Sequence, residues 1–291
     1  MMERNPTEIA TVRHGQAMDR IGKIGLVDLS IGIAMKNNRH VLALMAHPDD
    51  IEFQCAGTLV RLHQRGYKIH LATMTSGNCG SAELGPQAIT RIRVREAAAA
   101  AKVISATYDS LGERDLFITY NRLALQKVVE LIRRYDPWLV ITHSPQCYML
   151  DHEETSKLVR GACFGAGVPN FETEAADPAR PASGVPHLYY TDAMEHKNLF
   201  GERIVPQFYI DITRAMPVKT RMLKCHASQR DWLHKHHGMD EYVRMMQEMS
   251  ADRGREIGVR YAECYRQHLG HGYPQNNALG KILGALTVTQ E

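Results

Sequence analysis

The run Val41-Leu42-Ala43-Leu44-Met45-Ala46 is unbroken apolar sequence that stops abruptly at His47-Pro48-Asp49-Asp50. Open α/β sheets place their chemistry at the carboxyl ends of such strands. Pro48 fixes φ and withholds a backbone donor, so the polar cluster belongs to a loop and not to a ladder. The spacing aims the His47 imidazole and the Asp50 carboxylate at one cation and leaves Asp49 as a spare carboxylate beside them. An imidazole and a carboxylate suit a borderline metal such as zinc, whose catalytic sites add a third protein ligand and keep a position open. The plainer alternative is that Asp49 or Asp50 caps the helix beginning near Ile51.

From Arg39 onward the pattern alternates. Strand Val41–Met45 leads to a helix near Ile51–Gln64, closed by Gly66. Strand Tyr67–Met74 ends in the small-residue loop Thr75–Ser81, and an Ala-rich helix spans Pro86 to about Ile104. A short strand, Tyr108–Leu111, precedes the loop Gly112-Glu113-Arg114-Asp115. The amphipathic stretch Asn121–Arg134 puts Leu123, Val128, Leu131 and Ile132 roughly on one helical face, and Pro137 stops it. Strand Trp138–Thr142 then runs into His143. Strands alternating with helices mean crossover units and a parallel sheet. The expected fold is therefore α/β and Rossmann-like, a mostly parallel sheet flanked by helices, in a single domain over 39–291 with residues 1–38 as an N-terminal extension. Residues 163–187 read as a long loop, and loops of that length are often lids or binding loops. His187–Thr191 and Gln207–Ile212 read as later strands. Residues 213–291 read as mainly helical, with a long charged helix over Met239–Tyr265 whose Met245, Met246 and Met249 pack rather than touch a cofactor.

Ala46-His47-Pro48-Asp49-Asp50-Ile51-Glu52, followed by Gly57-Thr58-Leu59, resembles the opening motif of the LmbE/PIG-L family of zinc-dependent N-acetyl-sugar deacetylases. The first glycine of that family's Gly-Gly-Thr is Ala56 here. The likeness runs from about Arg39 to about Cys163. It implies zinc, or another divalent metal, held by His47, Asp50 and, from the family's second motif at Asp151-His152, His152. It implies Asp49 as the general base toward water activated by the metal, and Asp151 as a residue orienting His152 or a neighbour. One departure stands out. The family's second motif carries another histidine three residues before the ligand, and this chain has Met149, which has no proton to give. Tyr148, His143 or one of His226, Arg230, His234 and His237, which would share a helical face, are the candidates to compensate. Arg93, in Arg93-Val94-Arg95-Glu96-Ala97, matches the family's substrate-facing arginine, and Asp115 matches its sugar-binding acid. Ser76, Gly77 and Asn78 are a weak candidate for backbone donors, and Glu52 is read as supporting the metal loop.

A net charge of +3 and the lack of any basic run argue against nucleic acid as a partner. The 6 cysteines show no C-x-x-C spacing, which fits free thiols in a reducing compartment. No apolar stretch reaches membrane-spanning length, and the N-terminus lacks a signal pattern, so a cytoplasmic enzyme is expected. The implied activity is removal of an N-acetyl group from an amino-sugar derivative. The alternatives are a zinc hydrolase of another N-acylated small metabolite, or a metal- or sugar-binding protein weakened by Met149. A homo-oligomer is expected by analogy with relatives.

Overall fold

The computed structural model describes residues 39–229 and 241–287; the expected extension 1–38 lies outside them, as do Arg230, His234 and His237. The described residues form one seven-stranded sheet in the order β3-β2-β1-β4-β5-β7-β6. Its strands are β1 (His40–Met45), β2 (Lys68–Thr75), β3 (Thr107–Glu113), β4 (Leu139–Thr142), β5 (His187–Thr191), β6 (Phe208–Asp211) and β7 (Ala262–Gln267). The first five pair in parallel. β7 runs antiparallel to both its neighbours, β5 and β6. The expected mostly parallel α/β sheet is the one found.

The β1 sequence is apolar throughout because the strand is covered on both faces. Val41, Ala43 and Met45 enter one core cluster and Leu42, Leu44 and Ala46 the other. The first cluster receives residues from α1 (Asp50–Gln54), α2 (Ala56–His63), α3 (Pro86–Lys102), α6 (Met216–Leu223), α7 (Glu241–Glu256) and α8 (Ala278–Leu283). The second receives α4 (Arg122–Tyr135) and α5 (Leu150–Gly165). On α4, Val128, Leu131 and Ile132 are buried as the spacing predicts, but Leu123 is 51% exposed in the first turn. Asn121 caps that helix by accepting the Ala124 N–H at 3.0 Å. The helix expected over 51–64 is two helices, broken at Cys55, where φ is −138°.

The C-terminal part is helical with one addition. The long helix expected to reach Tyr265 ends at Glu256, and Ala262–Gln267 is a strand. That strand carries Glu263, whose two carboxylate oxygens accept the Gly57 N–H at 2.9 Å and the Thr58 N–H at 2.7 Å. A side chain from the far end of the chain thus satisfies the free donors at the start of α2. The approach is close enough that a Cβ on Gly57 would sit 2.9 Å from Glu263 Oε1 and 2.8 Å from Ile212. Lys219 Nζ completes the arrangement, 2.6 Å from Glu263 Oε1, and both residues are buried. Removing one partner of a buried pair leaves an uncompensated charge, at a cost of about 3–5 kcal/mol. Lys219→Met is therefore expected to destabilise the protein by about that amount, seen as a lower denaturation midpoint with unchanged m-value. A midpoint within error of the parent would show that the pair contributes nothing net.

Candidate metal centre

In the order β3-β2-β1-β4-β5, the connections leave β1 and β4 in opposite directions, and the crevice between their carboxyl ends is where such sheets bind ligands. The β1 loop brings His47, Asp49 and Asp50 to that point, and the β4 loop with the start of α5 brings His152. His47, Asp50 and His152 each offer a ligand atom, all within 4.8 Å of one another. His47 Nδ1 lies 3.3 Å from Asp50 Oδ2, and His152 Nε2 lies 3.5 Å from Asp50 Oδ1. Asp49 occupies the N-cap position of α1, but its side chain makes no capping hydrogen bond there. Asp50 Oδ2 instead accepts the His47 backbone N–H at 2.7 Å.

The donor set fits a divalent metal because the outward nitrogens of both imidazoles are already engaged. His47 Nε2 is 3.0 Å from Asp151 Oδ2, so Nδ1 is the nitrogen turned toward Asp50. Asp151 therefore serves His47 and not the adjacent His152. The same oxygen accepts the Leu116 N–H at 2.7 Å. His152 Nδ1 meets the Cys147 sulfur at 3.2 Å. His143, fully buried, stacks flat on His152 with ring centroids 3.9 Å apart. Its Nε2 takes the Ala46 N–H at 2.9 Å and lies 3.1 Å from Asp50 Oδ2.

Electrostatics separate the two candidate histidine ligands. Burial opposes a charge on His47, but the hydrogen bonds to Asp151 and Asp50 prevail and raise its pKa to about 10. Burial and then His143 push His152 down to about 3. Burial works against ionising Asp50, yet the surrounding imidazoles of His152 and His143 hold it well below the usual carboxylate range.

A cavity of about 650 Å³ opens over this cluster. Asp49 lines it in a positive-φ backbone (φ 101°), with burial raising its carboxyl pKa against the pull of Arg93. Arg93 also lines the cavity, but it is only 5% exposed. Its Nη2 is 3.2 Å from Asp49 Oδ2 and 2.6 Å from the Pro48 carbonyl. The small residues of the β2 loop make room for that guanidinium, since a Cβ on Gly77 would fall 2.5 Å from Arg93 Nη1. Of the backbone donors at Ser76, Gly77 and Asn78, the Gly77 N–H goes to Thr75 Oγ1 at 3.3 Å. Asn78 Oδ1 accepts the Asp115 N–H, and Cys79 donates its N–H to Asp115 Oδ2, each at 2.8 Å. Asp115 Oδ1 is buried without a partner in the cavity wall. Tyr148 stands 67% exposed at the mouth, edge-on to His152. Glu52 is buried, with one carboxylate oxygen 3.3 Å from His226 Nε2. Tyr242 and Met194, which no sequence pattern singled out, complete the walls with Met245, which was expected to pack but is 40% exposed.

A family model described as PIG-L, GlcNAc-PI de-N-acetylase, matches residues 42–163, the same stretch that carries the sequence resemblance. A probable N-acetyl-alpha-D-glucosaminyl L-malate deacetylase 2 of Bacillus anthracis is 30% identical over 207 residues, 67% of this chain and 83% of that relative. The chain belongs to the PIG-L family. The solved N,N'-diacetylchitobiose deacetylase of Pyrococcus horikoshii shares the PIG-L fold with it at a TM-score of 0.68 and 22% identity, over 93% of this chain and 98% of that one. PIG-L relatives of this kind are deacetylases, which are amide hydrolases, so the expected enzyme class stands. The similarity also extends to a 4-oxalmesaconate hydratase of Pseudomonas putida, 22% identical over 247 residues, 81% of this chain and 90% of that one. Among the described residues no helix is long and apolar enough to cross a membrane.

If a metal is held through His47, its uptake is expected to depend on pH. The hydrogen bonds to Asp151 and Asp50 raise the His47 pKa to about 10, so a metal taken up through Nδ1 would have to displace a proton. Metal affinity is therefore expected to rise about tenfold per pH unit between roughly pH 6 and 8, with about one proton released per ion. Chelator competition across pH, or titration calorimetry in buffers of different ionisation enthalpy, reads this directly. A flat profile would mean that His47 is not a ligand.

Proposed function

We propose that this chain is a zinc-dependent N-deacetylase of an amino-sugar derivative, with His47, Asp50 and His152 as the metal ligands and Asp49 as the general base. The observation that carries the reading is the convergence of those three side chains at the strand ends, with Asp49 beside them on the cavity wall. A divalent metal held there supplies Lewis acidity to a water and to the acyl carbonyl. Asp49 takes a proton from the attacking water and returns it to the departing nitrogen as the C–O bond forms and the C–N bond breaks. This return matters here because Met149, also on the cavity wall, has nothing to donate. Arg93 holds the Asp49 carboxylate in place, and the unpartnered Asp115 oxygen suits a substrate hydroxyl.

The unpartnered Asp115 oxygen on the cavity wall favours this reading over water addition to a carboxylate substrate, since a carboxylate oxygen accepts from a hydroxyl and repels an anion. The deciding experiment measures acetate release by zinc-loaded protein across N-acetylamino sugars, their conjugates and simple N-acyl metabolites. Release from amino-sugar compounds supports the proposal. Release only from other amides, or none with the metal still bound, would replace it with a different hydrolase or a binding role.

A further inference from the structure

His47 and His152 are backed by very different groups. Behind His47 stands a carboxylate, the strong acceptor usually found opposite a metal-binding imidazole. Behind His152 stands a thiol: Cys147 Sγ is 3.2 Å from Nδ1, with both residues buried. A neutral imidazole has one ring proton. If Nε2, the nitrogen facing Asp50, gives its lone pair to a metal, that proton sits on Nδ1 and points at Cys147.

We propose that Cys147 is a positioning residue for the metal ligand His152, its sulfur accepting the Nδ1–H and so fixing the tautomer that presents Nε2. The proposal rests on the metal-dependent reading given above. It goes further by giving the β4 loop a task in that centre. The contact also ties the centre to a distant loop. Cys147 packs with Ala193 and Met194, and the backbone just beyond is held at positive φ, 55° at Glu195 and 63° at His196. Asp192 fixes that turn, 2.6 Å from His196 Nδ1 and paired with both Arg253 Nε and Nη2. Met194 lines the cavity, so Cys147 touches a ligand on one side and the cavity wall on the other. A sulfur acceptor is weaker than a carboxylate, so His152 is the less basic of the two imidazole donors.

The test compares the full chain with Cys147→Ser and Cys147→Ala, reading zinc affinity by chelator competition and the visible spectrum of the cobalt-loaded proteins. Cys147→Ala is expected to weaken zinc binding about 10- to 100-fold and to change the cobalt spectrum. Cys147→Ser, which keeps a small acceptor, is expected to stay within about threefold of the parent. Equal affinity in all three proteins, or equal loss in both variants, overturns the proposal. Should Cys147→Ala fail to fold, nitrogen NMR of the zinc-loaded parent decides: a proton on His152 Nδ1 supports the assignment, and metal on Nδ1 overturns it. The parent's own zinc titration separates the two levels of inference. A parent that binds no zinc removes the metal-dependent reading, whereas a parent that binds zinc as tightly as Cys147→Ala removes only the role of Cys147.

Discussion

Asp49→Asn is expected to lower kcat by about 10²–10⁴, the range that general acid–base catalysis contributes, while leaving zinc bound. The change is close to isosteric. Asparagine tolerates positive φ nearly as well as aspartate, so the φ of 101° at this position should survive. The amide oxygen can still accept from Arg93, whose Nη2 is 3.2 Å from the present carboxylate. Basicity is removed together with the charge opposite the buried Arg93, so circular dichroism must show that the fold is kept. A backbone conformation of this kind costs about 1–3 kcal/mol and persists only where the surroundings impose it. Here it puts a carboxylate on the cavity wall next to Asp50 without making it one of the converging three. The measurement pairs steady-state kinetics with metal content. Undiminished kcat at full zinc occupancy would move the base to another residue.

One residue later the same substitution is expected to act in the opposite order. Asp50→Asn should lose the metal first and activity as a consequence. Three protein ligands are the minimum of a catalytic zinc site, and this change leaves two imidazoles and a neutral amide. Asp50 also lies within 3.5 Å of a ring nitrogen on each of His47, His143 and His152. Its negative charge is what makes three clustered imidazoles compatible with cation binding. Zinc content after gel filtration should fall from about one per chain to near zero, with acetate release at background. Because Asn still accepts the His47 backbone N–H, the fold should hold, which circular dichroism would verify. Zinc retained at parental affinity would exclude Asp50 from the ligand set.

The parts of this molecule legible in the sequence are those written in local pattern. β1 and β4 are short apolar runs because both faces of the strand are covered, and the motifs that follow them bring His47, Asp50 and His152 together. β7 was hidden because Glu263, Arg266 and Gln267 interrupt any apolar run. Each has a job elsewhere, Glu263 at the start of α2 and Arg266 on Ser144 and Gln146. The pairing of Asp151 was open for a geometric reason. Adjacent residues on a helix do not face each other, so a carboxylate next to His152 in sequence is free to reach the other imidazole. Cys147 and Tyr242 follow from no spacing rule, since their neighbours in space come from separate loops and helices. Arg93 was placed at the cavity by its motif, but its engagement with Asp49 and Pro48 emerges only once the β2 loop is folded over it.

The position of β7 has a consequence for how the chain is made. β5 and β6 are not hydrogen-bonded to each other, because the strand between them is encoded about fifty residues after β6. A nascent chain that has emerged only as far as α7 therefore exposes the free edge of β5, and the first turn of α2 lacks the Glu263 acceptor. Pairing at such sequence separation is slow, and an open edge in the interval is a site for misassembly. Closure of the sheet is thus a late event in biogenesis, and a ribosome-stalled chain ending before Ala262 should be far more sensitive to protease than the finished protein. The β1 loop that carries His47 and Asp50 is translated long before β7, yet the first turn of α2 waits for Glu263 of that strand.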